Sequence, residues 1–311
     1  MAAVSIIVLV YDVEEYIERC ARALFGQTLE DLEYVFVDDC TPDRSMEILG
    51  QVLEEYPHRK GQVKVLHNEV NRGQAYSRRR GIEAATGDYI IHCDSDDWPD
   101  QDMYAKLYAK ASSGNLDMVI CSVRRVYPDL KTVPGTDKLG LEDVVGALIR
   151  QDIFNHTSNK LVSRKAYDKG ITYPVCNMSE DSAMIIQLAC NCDSFGYVDE
   201  ILYNYSVRPG SISYSIESVE KIDQMRQNYN LAFSALEAKG LAGKYRKDIR
   251  SLKCWLKFNA IKLPRDFYVN LYPEVNLAFL FNGRYTVMQR LGHLTKVLGI
   301  HGISKVFKRG G

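Results

Sequence analysis

The chain has 311 residues and a mass of 35.4 kDa; 46% of its residues are hydrophobic and 25% are charged. This mixture is typical of a globular protein and excludes a disordered, collagen-like or disulfide-stapled chain. Lys and Arg number 39 against 40 Asp and Glu, which gives a formal net charge of −1. Because no overall positive field is available to attract phosphates, we expect no nucleic acid among its partners.

Eight cysteines lie in apolar segments without a CxxC pair, and the closest two, Cys190 and Cys192, form a CxC sequence. This usage predicts buried, reduced thiols, no structural zinc and a cytoplasmic location. The apolar run at 4–10 has no basic residues before it and acidic residues directly after it. It therefore predicts a buried strand rather than a signal peptide or a membrane span.

The first 122 residues alternate short apolar runs with stretches of helical periodicity. This pattern is typical of a mostly parallel sheet with helices on both faces, an α/β fold. Asp12 is predicted to cap the first helix in a capping box with Glu15. Strands are predicted at 4–10, 32–37, 63–66, 89–93 and 117–122, and further helices at 42–56 and 74–85.

The pattern becomes less regular after residue 122. A loop is predicted at 127–140, helices at 142–151 and 180–192, a strand near 195–198 and an extended segment at 202–207. From about residue 218 the sequence turns helical, and the last 25 residues form a basic amphipathic tail. Two alternatives stay open for this tail: peripheral contact with anionic lipid at the inner face of the membrane, or a helix docked on its own domain with a solvated basic side.

The strongest chemical signal is the acidic run Asp94-Ser95-Asp96-Asp97 directly after the fourth predicted strand. In open α/β sheets, ligands bind where the strands end. Neighbouring carboxylates repel one another, and a divalent cation such as Mg²⁺ or Mn²⁺ stabilises such a cluster. A solvated acidic turn or a helix cap explains the same run without a metal, so both interpretations remain.

Two further clusters lie near the same sheet edge. Asp38 and Asp39 end the second strand, where an Asp can accept a hydrogen bond from a ribose hydroxyl or a base N–H. An Asx turn leading to Pro42 accounts for one of the two without a ligand. The three arginines at 78–80 suit phosphate oxygens, but successive helical residues point in three directions. At most one or two of them can therefore reach a ligand.

Glu180 and Asp181 begin the helix at 180–192. Acidic residues at this position stabilise the helix dipole, and one of them can instead act as a general base. The spacing alone does not distinguish the two roles.

Other catalytic patterns are absent from the sequence. There is no GxGxxG after the first strand, no GxxxxGK[ST], no GxSxG and no HExxH. The six histidines show no metal-ligand spacing. These absences exclude the usual nicotinamide, P-loop, serine hydrolase and zinc protease sites.

Several segments in order resemble the family 2 glycosyltransferases of GT-A fold. The matching segments are VSIIVLVY at 4–11, VFVDD at 35–39, the stretch around Arg78 at 73–81, ATGDYIIHCDSDDW at 85–98, NKL at 159–161, SED at 179–181, VDEILYNY at 198–205 and RPGSIS at 208–213. The resemblance covers about the first 215 residues. It implies a GT-A domain at 1–215, with a Rossmann-like nucleotide-sugar-binding half at 1–105, an acceptor-binding half at 106–215 and a helical region at 216–311.

The resemblance also implies an activity. A hexosyl or N-acetylhexosaminyl group would pass with inversion from a nucleotide-diphosphate donor, most often a UDP-sugar, to a hydroxyl group. The acceptor would be a saccharide or a lipid-linked saccharide in bacterial surface polysaccharide synthesis. Mn²⁺ or Mg²⁺ is the implied cofactor.

Five positions match the donor-binding residues of the family. Leu9 and Tyr11 would pack on the base, and Asp39 would accept a hydrogen bond from the uracil ring. Arg78 would lie near the diphosphate. Arg208 belongs to a segment that resembles the lid closing over the donor phosphates.

Five further positions match the metal-binding and catalytic residues. Asp94 and Asp96 correspond to the DxD pair, with Asp96 as metal ligand and Asp94 directed towards ribose and metal, and Ser95 stands between them in the donor site. Asp181 corresponds to the general base. Glu180 would hold the acceptor or share the role of base.

The sequence departs from the family pattern at three places: Asp12 replaces an Asn, Cys40 a Gly and Arg79 an Asn. Because glycine tolerates a positive φ and cysteine does not, we expect the loop after Asp39 to differ. Two other functions stay open. A nucleotide-sugar pyrophosphorylase has the general architecture but usually a glycine-rich loop after the first strand, and a catalytically silent nucleotide-sugar binder would not need its carboxylates.

Overall fold

Within residues 2–129, 131–135, 141–208 and 218–300, which the computed structural model describes, nine strands form one mixed sheet. The order is β3-β2-β1-β4-β8-β6-β9-β5, and β7 pairs with β6. The strands are β1 (Val4–Val10), β2 (Leu32–Asp38), β3 (Val63–His67), β4 (Tyr89–Asp94), β5 (Trp98–Pro99), β6 (Met118–Val126), β7 (Thr132–Gly135), β8 (Lys160–Ser163) and β9 (Phe195–Ser206). The predicted α/β fold is confirmed.

The parallel part of the sheet consists of β3, β2, β1 and β4. Alternate residues of β1 enter different hydrophobic clusters, since Ile6 and Val8 belong to one and Ile7 to the other. This alternation shows that both faces of β1 are covered, which is why its sequence is apolar throughout. The sequence predicted these four strands to within one residue at each end.

The other part of the sheet is mostly antiparallel, and here the predictions were less accurate. The segments predicted separately at 195–198 and 202–207 form the single strand β9, which runs parallel to β6 with a shift in register near Ser122. The shift leaves Asp199 and Glu200 exposed, and their polarity is the reason that the sequence suggested a break. The strands β5, β7 and β8 were missed because they are only two to four residues long, and β5 and β7 each contain a proline.

Twelve α-helices surround the sheet in the described part of the chain. They are α1 (Ile17–Phe25), α2 (Ser45–Glu54), α3 (Gln74–Ala84), α4 (Met103–Gly114), α5 (Val144–Arg150), α6 (Arg164–Asp168), α7 (Glu180–Asn191), α8 (Val219–Ala238), α9 (Arg246–Asn259), α10 (Arg265–Asn270), α11 (Asn276–Leu280) and α12 (Val287–Leu298). One cluster packs α1, α2 and α4 on the sheet, and the other packs α3, α5 and α7 together with the C-terminal helices. None of the described helices combines the length and the apolar composition that a bilayer span requires.

The predicted capping box of Asp12 and Glu15 is wrong. Helix α1 begins only at Ile17, and no side chain caps it. Asp12 instead lies in a turn with φ 53°, and its N–H donates to Thr41 Oγ1 over 2.9 Å. The segment after β1 is therefore held by a hydrogen bond to the loop that precedes α2. Helix α1 starts one turn later than its apolar periodicity suggested.

All eight cysteines are thiols outside any disulfide, as their spacing predicted. Five of them are buried: Cys20, Cys93, Cys121, Cys192 and Cys254. Cys176 and Cys190 are partly buried and Cys40 is exposed, so the expectation of buried thiols was wrong for these three.

The predicted basic tail packs on its own domain as far as it is described. Residues 287–298 form α12, in which His293 is buried. Its basic side chains are not solvated freely: Arg290 donates to the carbonyl of Leu280, and Lys296 to that of Leu263. The remaining basic and apolar positions of the tail, at 303–309, lie outside the described residues.

The loop after Asp39 contains a cysteine in a conformation that favours glycine. Cys40 has φ 58°, in the left-handed region, where the Cβ atom of an L-residue approaches the following carbonyl. The expectation that a cysteine would not take a positive φ here was therefore wrong: the loop accommodates Cys40 at the cost of about 1 to 2 kcal/mol of local strain.

We expect Cys40→Gly to raise the free energy of unfolding by about 1 kcal/mol, because the relief of strain exceeds the extra entropy of glycine in the unfolded chain. Urea unfolding measures this change. Cys40→Ala is the control, since alanine keeps the Cβ atom and should give no gain. Equal stability of the glycine and alanine variants would contradict the strain.

Candidate active site

A cleft of about 820 Å³ opens where β1, β2 and β4 end. The strand registers place Leu9 beside Asp94 and Val10 beside Asp38, so the three strand ends meet at one edge. The residues predicted from the sequence to form the site all line this cleft: Leu9, Tyr11, Asp39, Arg78, Asp94, Ser95, Asp96, Glu180, Asp181 and Arg208. The structure therefore brings them together, and their chemical roles stay predictions.

The acidic run after β4 divides into two parts. Asp94 and Asp96 line the cleft, whereas Asp97 is fully buried behind it. Asp97 accepts hydrogen bonds from Tyr203 Oη (2.8 Å) and from the backbone N–H of Ser206 (2.7 Å), and burial raises the pKa of its carboxyl well above the usual value. The expectation that all three carboxylates need a cation was wrong for Asp97, because donors from β9 satisfy it.

Burial also raises the pKa of the Asp94 carboxyl; the guanidinium of Arg78 opposes this rise and the negative charge of Asp96 adds to it. Asp94 and Asp96 thus place two carboxylates in the cleft, where their negative charge favours a cation.

Arg208 binds Asp96 directly. Its Nε donates to Asp96 Oδ2 over 2.7 Å, and its guanidinium lies 4.9 Å from the ring centre of Tyr16. The sequence placed Arg208 over the donor phosphates, and the structure places it on the carboxylate predicted to bind the metal. The other lid residues, at 209–213, lie outside the described residues.

Arg78 and Glu180 form a buried ion pair across the cleft wall. Arg78 Nε lies 3.0 and 3.1 Å from the two carboxylate oxygens of Glu180, and Nη2 lies 2.9 Å from Oε1. Nη2 is also 3.7 Å from Asp94 Oδ1. Burial raises the pKa of Glu180 to about 7, and the positive charge of Arg78 opposes this rise. Glu180 is therefore engaged with Arg78, and its role in holding the acceptor or sharing the role of base stays a prediction.

The neighbouring arginines point elsewhere, as the helical geometry predicted. Arg79 pairs with Glu83 on the surface, and Arg80 donates to Asn68 and to the carbonyl of His67. Only one of the three arginines at 78–80 lines the cleft in the described structure.

Asp181 lies beside a histidine that the sequence analysis missed. His156 Nδ1 is 3.2 Å from Asp181 Oδ2, and the imidazole stacks on Phe154 with 4.0 Å between ring centres. Tyr205 meets the same imidazole edge-on at 5.4 Å. Two aromatic rings thus orient His156 towards the carboxylate. No sequence signal pointed to this contact, because the two residues are 25 positions apart and match no motif.

Asp39 organises the loop that leads into α3. It accepts hydrogen bonds from Asn68 Nδ2 (2.6 Å) and from the backbone N–H groups of Arg72 (2.8 Å) and Gly73 (2.7 Å). Asp38 accepts from the backbone N–H of Thr41 over 2.8 Å, which is the Asx turn considered as its alternative. Of these two adjacent aspartates, Asp38 thus belongs to a turn and Asp39 lines the cleft.

The far wall of the cleft includes side chains from the C-terminal helices. Met225 and Tyr229 of α8 and Trp255 of α9 line it. The sequence predicted helices in this region but gave no reason to place them at the site.

Comparisons with known proteins identify the family. The model of "Glycosyl transferase family 2" matches residues 5–171, which is more than half of the chain. The chain is a family 2 glycosyltransferase.

A curated relative and two solved structures extend this result. The family 2 chain is 29% identical over 261 residues to the "Uncharacterized glycosyltransferase EpsJ" of Bacillus subtilis, covering 81% of the chain and 74% of that protein. S. aureus TarS 1-349 in complex with UDP-GlcNAc matches with a TM-score of 0.68 at 18% identity, covering 99% and 92% of the two chains. The mannosyltransferase PcManGT of Pyrobaculum calidifontis, in complex with GDP-Man and Mn2+, matches with a TM-score of 0.55 at 16% identity, covering 96% and 88%. The structural matches show a common fold and confirm the predicted GT-A architecture with C-terminal helices.

We expect Glu180→Gln to destabilise this glycosyltransferase by about 3 kcal/mol, because it leaves the guanidinium of Arg78 buried without its main counter-charge. Chemical unfolding measures the loss. Asp181→Asn is the matched control: it changes the next carboxylate, which is more exposed, and should cost less than about 1 kcal/mol. Similar losses in both variants would show that the ion pair has no special part in stability.

Proposed function

We propose that the protein transfers a sugar with inversion from a nucleotide-diphosphate donor, a UDP-sugar in the first instance, to a hydroxyl of a saccharide or lipid-linked saccharide during surface polysaccharide synthesis. The observation that carries this proposal is the presence in one cleft of Asp94 and Asp96 at the end of β4 and Asp181 at the start of α7. The UDP-GlcNAc bound by the structural relative TarS supports a UDP-linked donor, and the GDP-Man bound by PcManGT makes GDP-sugars the first alternative. The transferred group would be a hexosyl or N-acetylhexosaminyl residue.

Two carboxylates of the cleft fit a divalent ion whose other ligands come from the substrate and from water. A site made of three or more His, Cys, Asp or Glu side chains is not found in the described part of the chain. Mg²⁺ is commonly held by one or two carboxylates, with substrate phosphates and water completing its coordination, and Asp94 and Asp96 supply such a pair. The Mn2+ in the PcManGT complex supports the same class of ion. When bound, the ion would neutralise the charge that develops on the departing diphosphate.

The donor would bind on the side formed by residues 1–105. Leu9 and Tyr11 line the cleft beside Asp39, where they can pack on a base. Asp39 already accepts three hydrogen bonds, and because a carboxylate has about four acceptor sites, one remains for a base N–H. Arg208 would exchange Asp96 for the donor phosphates, which carry more negative charge.

The acceptor would bind on the side formed by residues 106–215. Asp181 would remove the proton from the attacking hydroxyl while that oxygen attacks C1 opposite the diphosphate. The backbone N–H of Ser182 donates to Asp181 Oδ1 over 2.7 Å, and His156 contacts Oδ2, so the carboxylate is held in one orientation. Glu180 is bound to Arg78 and would position the site rather than accept the proton.

A screen of UDP- and GDP-sugars for metal-dependent nucleotide release, followed by NMR of the anomeric proton in the product, tests the proposal. We expect release with a UDP-sugar and a product of inverted configuration. Nucleotide binding without release in the presence of any saccharide or lipid-linked acceptor would instead support a catalytically silent binder.

Two substitutions separate donor binding from proton removal. We expect Asp96→Ala to abolish binding of UDP in the presence of Mn²⁺, because it removes a metal ligand. Asp181→Asn should retain that binding and lower turnover by about 10² to 10⁴, the usual contribution of a general base. Calorimetry and a UDP-release assay measure the two effects. Normal turnover by Asp181→Asn would exclude it as the base, and Glu180 would be tested next.

A further inference from the structure

The charge of the chain is divided very unevenly. Residues 239–311 contain fifteen Lys and Arg against three Asp and Glu, a formal charge of +12, although the whole chain carries −1. The 238 residues before this segment therefore carry −13. An asymmetry of this size indicates that the C-terminal segment meets an anionic partner.

The outer surface of α12 is apolar, whereas the exposed side of a helix on a soluble domain is normally polar. Val287, Met288, Leu291 and Leu298 are 45 to 64% exposed and share one side of the helix at intervals of three, four and seven residues. The basic side chains of α12 bind backbone carbonyls of their own domain, as described above. The orientation of the helix thus directs its apolar stripe outward.

A groove of about 660 Å³ with apolar and basic groups lies between α9 and α11, and it neighbours α12, because Arg290 of α12 donates to the carbonyl of Leu280 in α11. Leu277 and Phe281 line it and are 68% and 79% exposed. Lys247, Arg250 and Arg284 line it as well, and within the described residues none of the three forms an ion pair.

The two acidic residues of the groove do not offset these cations, because each binds a partner of its own. Asp248 lies 3.4 Å from Arg150, and Glu274 lies 2.7 Å from Lys253. The positive charge of the groove is therefore available to an external anion. We use the name C-terminal face for two sets of residues taken together. One set is the exposed apolar stripe of α12, and the other is the groove residues Lys247, Arg250, Leu277, Phe281 and Arg284.

We propose that the C-terminal face docks on an anionic phospholipid bilayer. Its apolar side chains would enter the boundary between headgroups and acyl chains, while Lys247, Arg250 and Arg284 contact the headgroup phosphates. A bilayer satisfies both features at once, because it offers an apolar phase beneath a negatively charged surface. A nucleic acid would match the charge but leave the aliphatic stripe in water, and a second copy of the chain would place like charges against each other.

Helix α9 connects this face with the catalytic cleft. Arg250 and Cys254 line the groove, and Trp255 lines the cleft. Docking would hold the cleft about one helix diameter from the bilayer, roughly 10 Å. This position would give the cleft access to a lipid-linked acceptor, and that consequence rests on the proposed function. The membrane contact itself does not depend on the proposed function.

Vesicle sedimentation with the full chain tests the proposal. We expect binding to vesicles of equal parts phosphatidylcholine and phosphatidylglycerol, weakening as salt is raised, and no binding to phosphatidylcholine alone. The double variant Phe281→Ser, Leu291→Ser and the triple variant Lys247→Gln, Arg250→Gln, Arg284→Gln should each lower the bound fraction at least about tenfold. These side chains are exposed, so both variants should keep the melting temperature of the unmodified chain.

Matched controls test whether vesicle binding depends on the C-terminal face in particular or on the total number of exposed cations and apolar side chains. Val175→Ser removes an apolar side chain that is 84% exposed outside the face, and Lys110→Gln with Lys165→Gln removes exposed cations of α4 and α6. Both controls should bind vesicles as the unmodified chain does. Equal losses in controls and face variants, or no vesicle binding by the unmodified chain, would overturn the proposal.

Two further measurements assign the face to another partner if the proposal fails. If sedimentation velocity shows a dimer, and the Phe281→Ser, Leu291→Ser variant abolishes that dimer, the C-terminal face is an interface between copies of the chain. If single-stranded RNA binds the protein and displaces the vesicles, the C-terminal face is a nucleic-acid surface. Since vesicle binding is measured without any sugar donor, loss of the proposed transferase activity would leave its result unchanged.

Discussion

The buried ion pair between Arg78 and Glu180 is the contact on which the site depends. It joins α3, which packs on the parallel strands β1 and β2, to α7, which carries Asp181, and its guanidinium also approaches Asp94. Without this cation, the negative charges of Asp94, Glu180 and Asp181 would repel one another with no opposing charge at Glu180. The pair thus sets the separation of the two halves of the cleft and leaves Asp94 and Asp181 directed into it.

The local sequence was sufficient to predict the parallel strands and the residues at their ends, because continuous apolar runs and strand-end carboxylates are properties of short segments. It was insufficient for contacts that depend on tertiary packing. Asp97 has the same chemical character as Asp94, and only its position against Tyr203 and Ser206 makes it a structural residue. His156 likewise gains its place beside Asp181 from two aromatic rings.

The C-terminal helices show the same limit on a larger scale. Their apolar periodicity predicted helices but not which side would face the domain, and in α12 the buried side is marked only by Gly292 and His293. These helices share a hydrophobic cluster with one side of the sheet and also supply Tyr229 and Trp255 to the cleft. The chemistry of the cleft and the outward surface of the helices are therefore parts of one packed unit, linked through α9.

The proposed function depends above all on Asp94 and Asp96 holding a divalent ion against the diphosphate of a nucleotide. Anomalous diffraction from a crystal grown with UDP and Mn²⁺ tests it most directly. We expect a manganese peak within coordinating distance of the Asp96 carboxylate and of the diphosphate oxygens, with Arg208 moved off Asp96. A nucleotide bound in the cleft with manganese elsewhere, or a nucleotide bound outside the cleft, would contradict it.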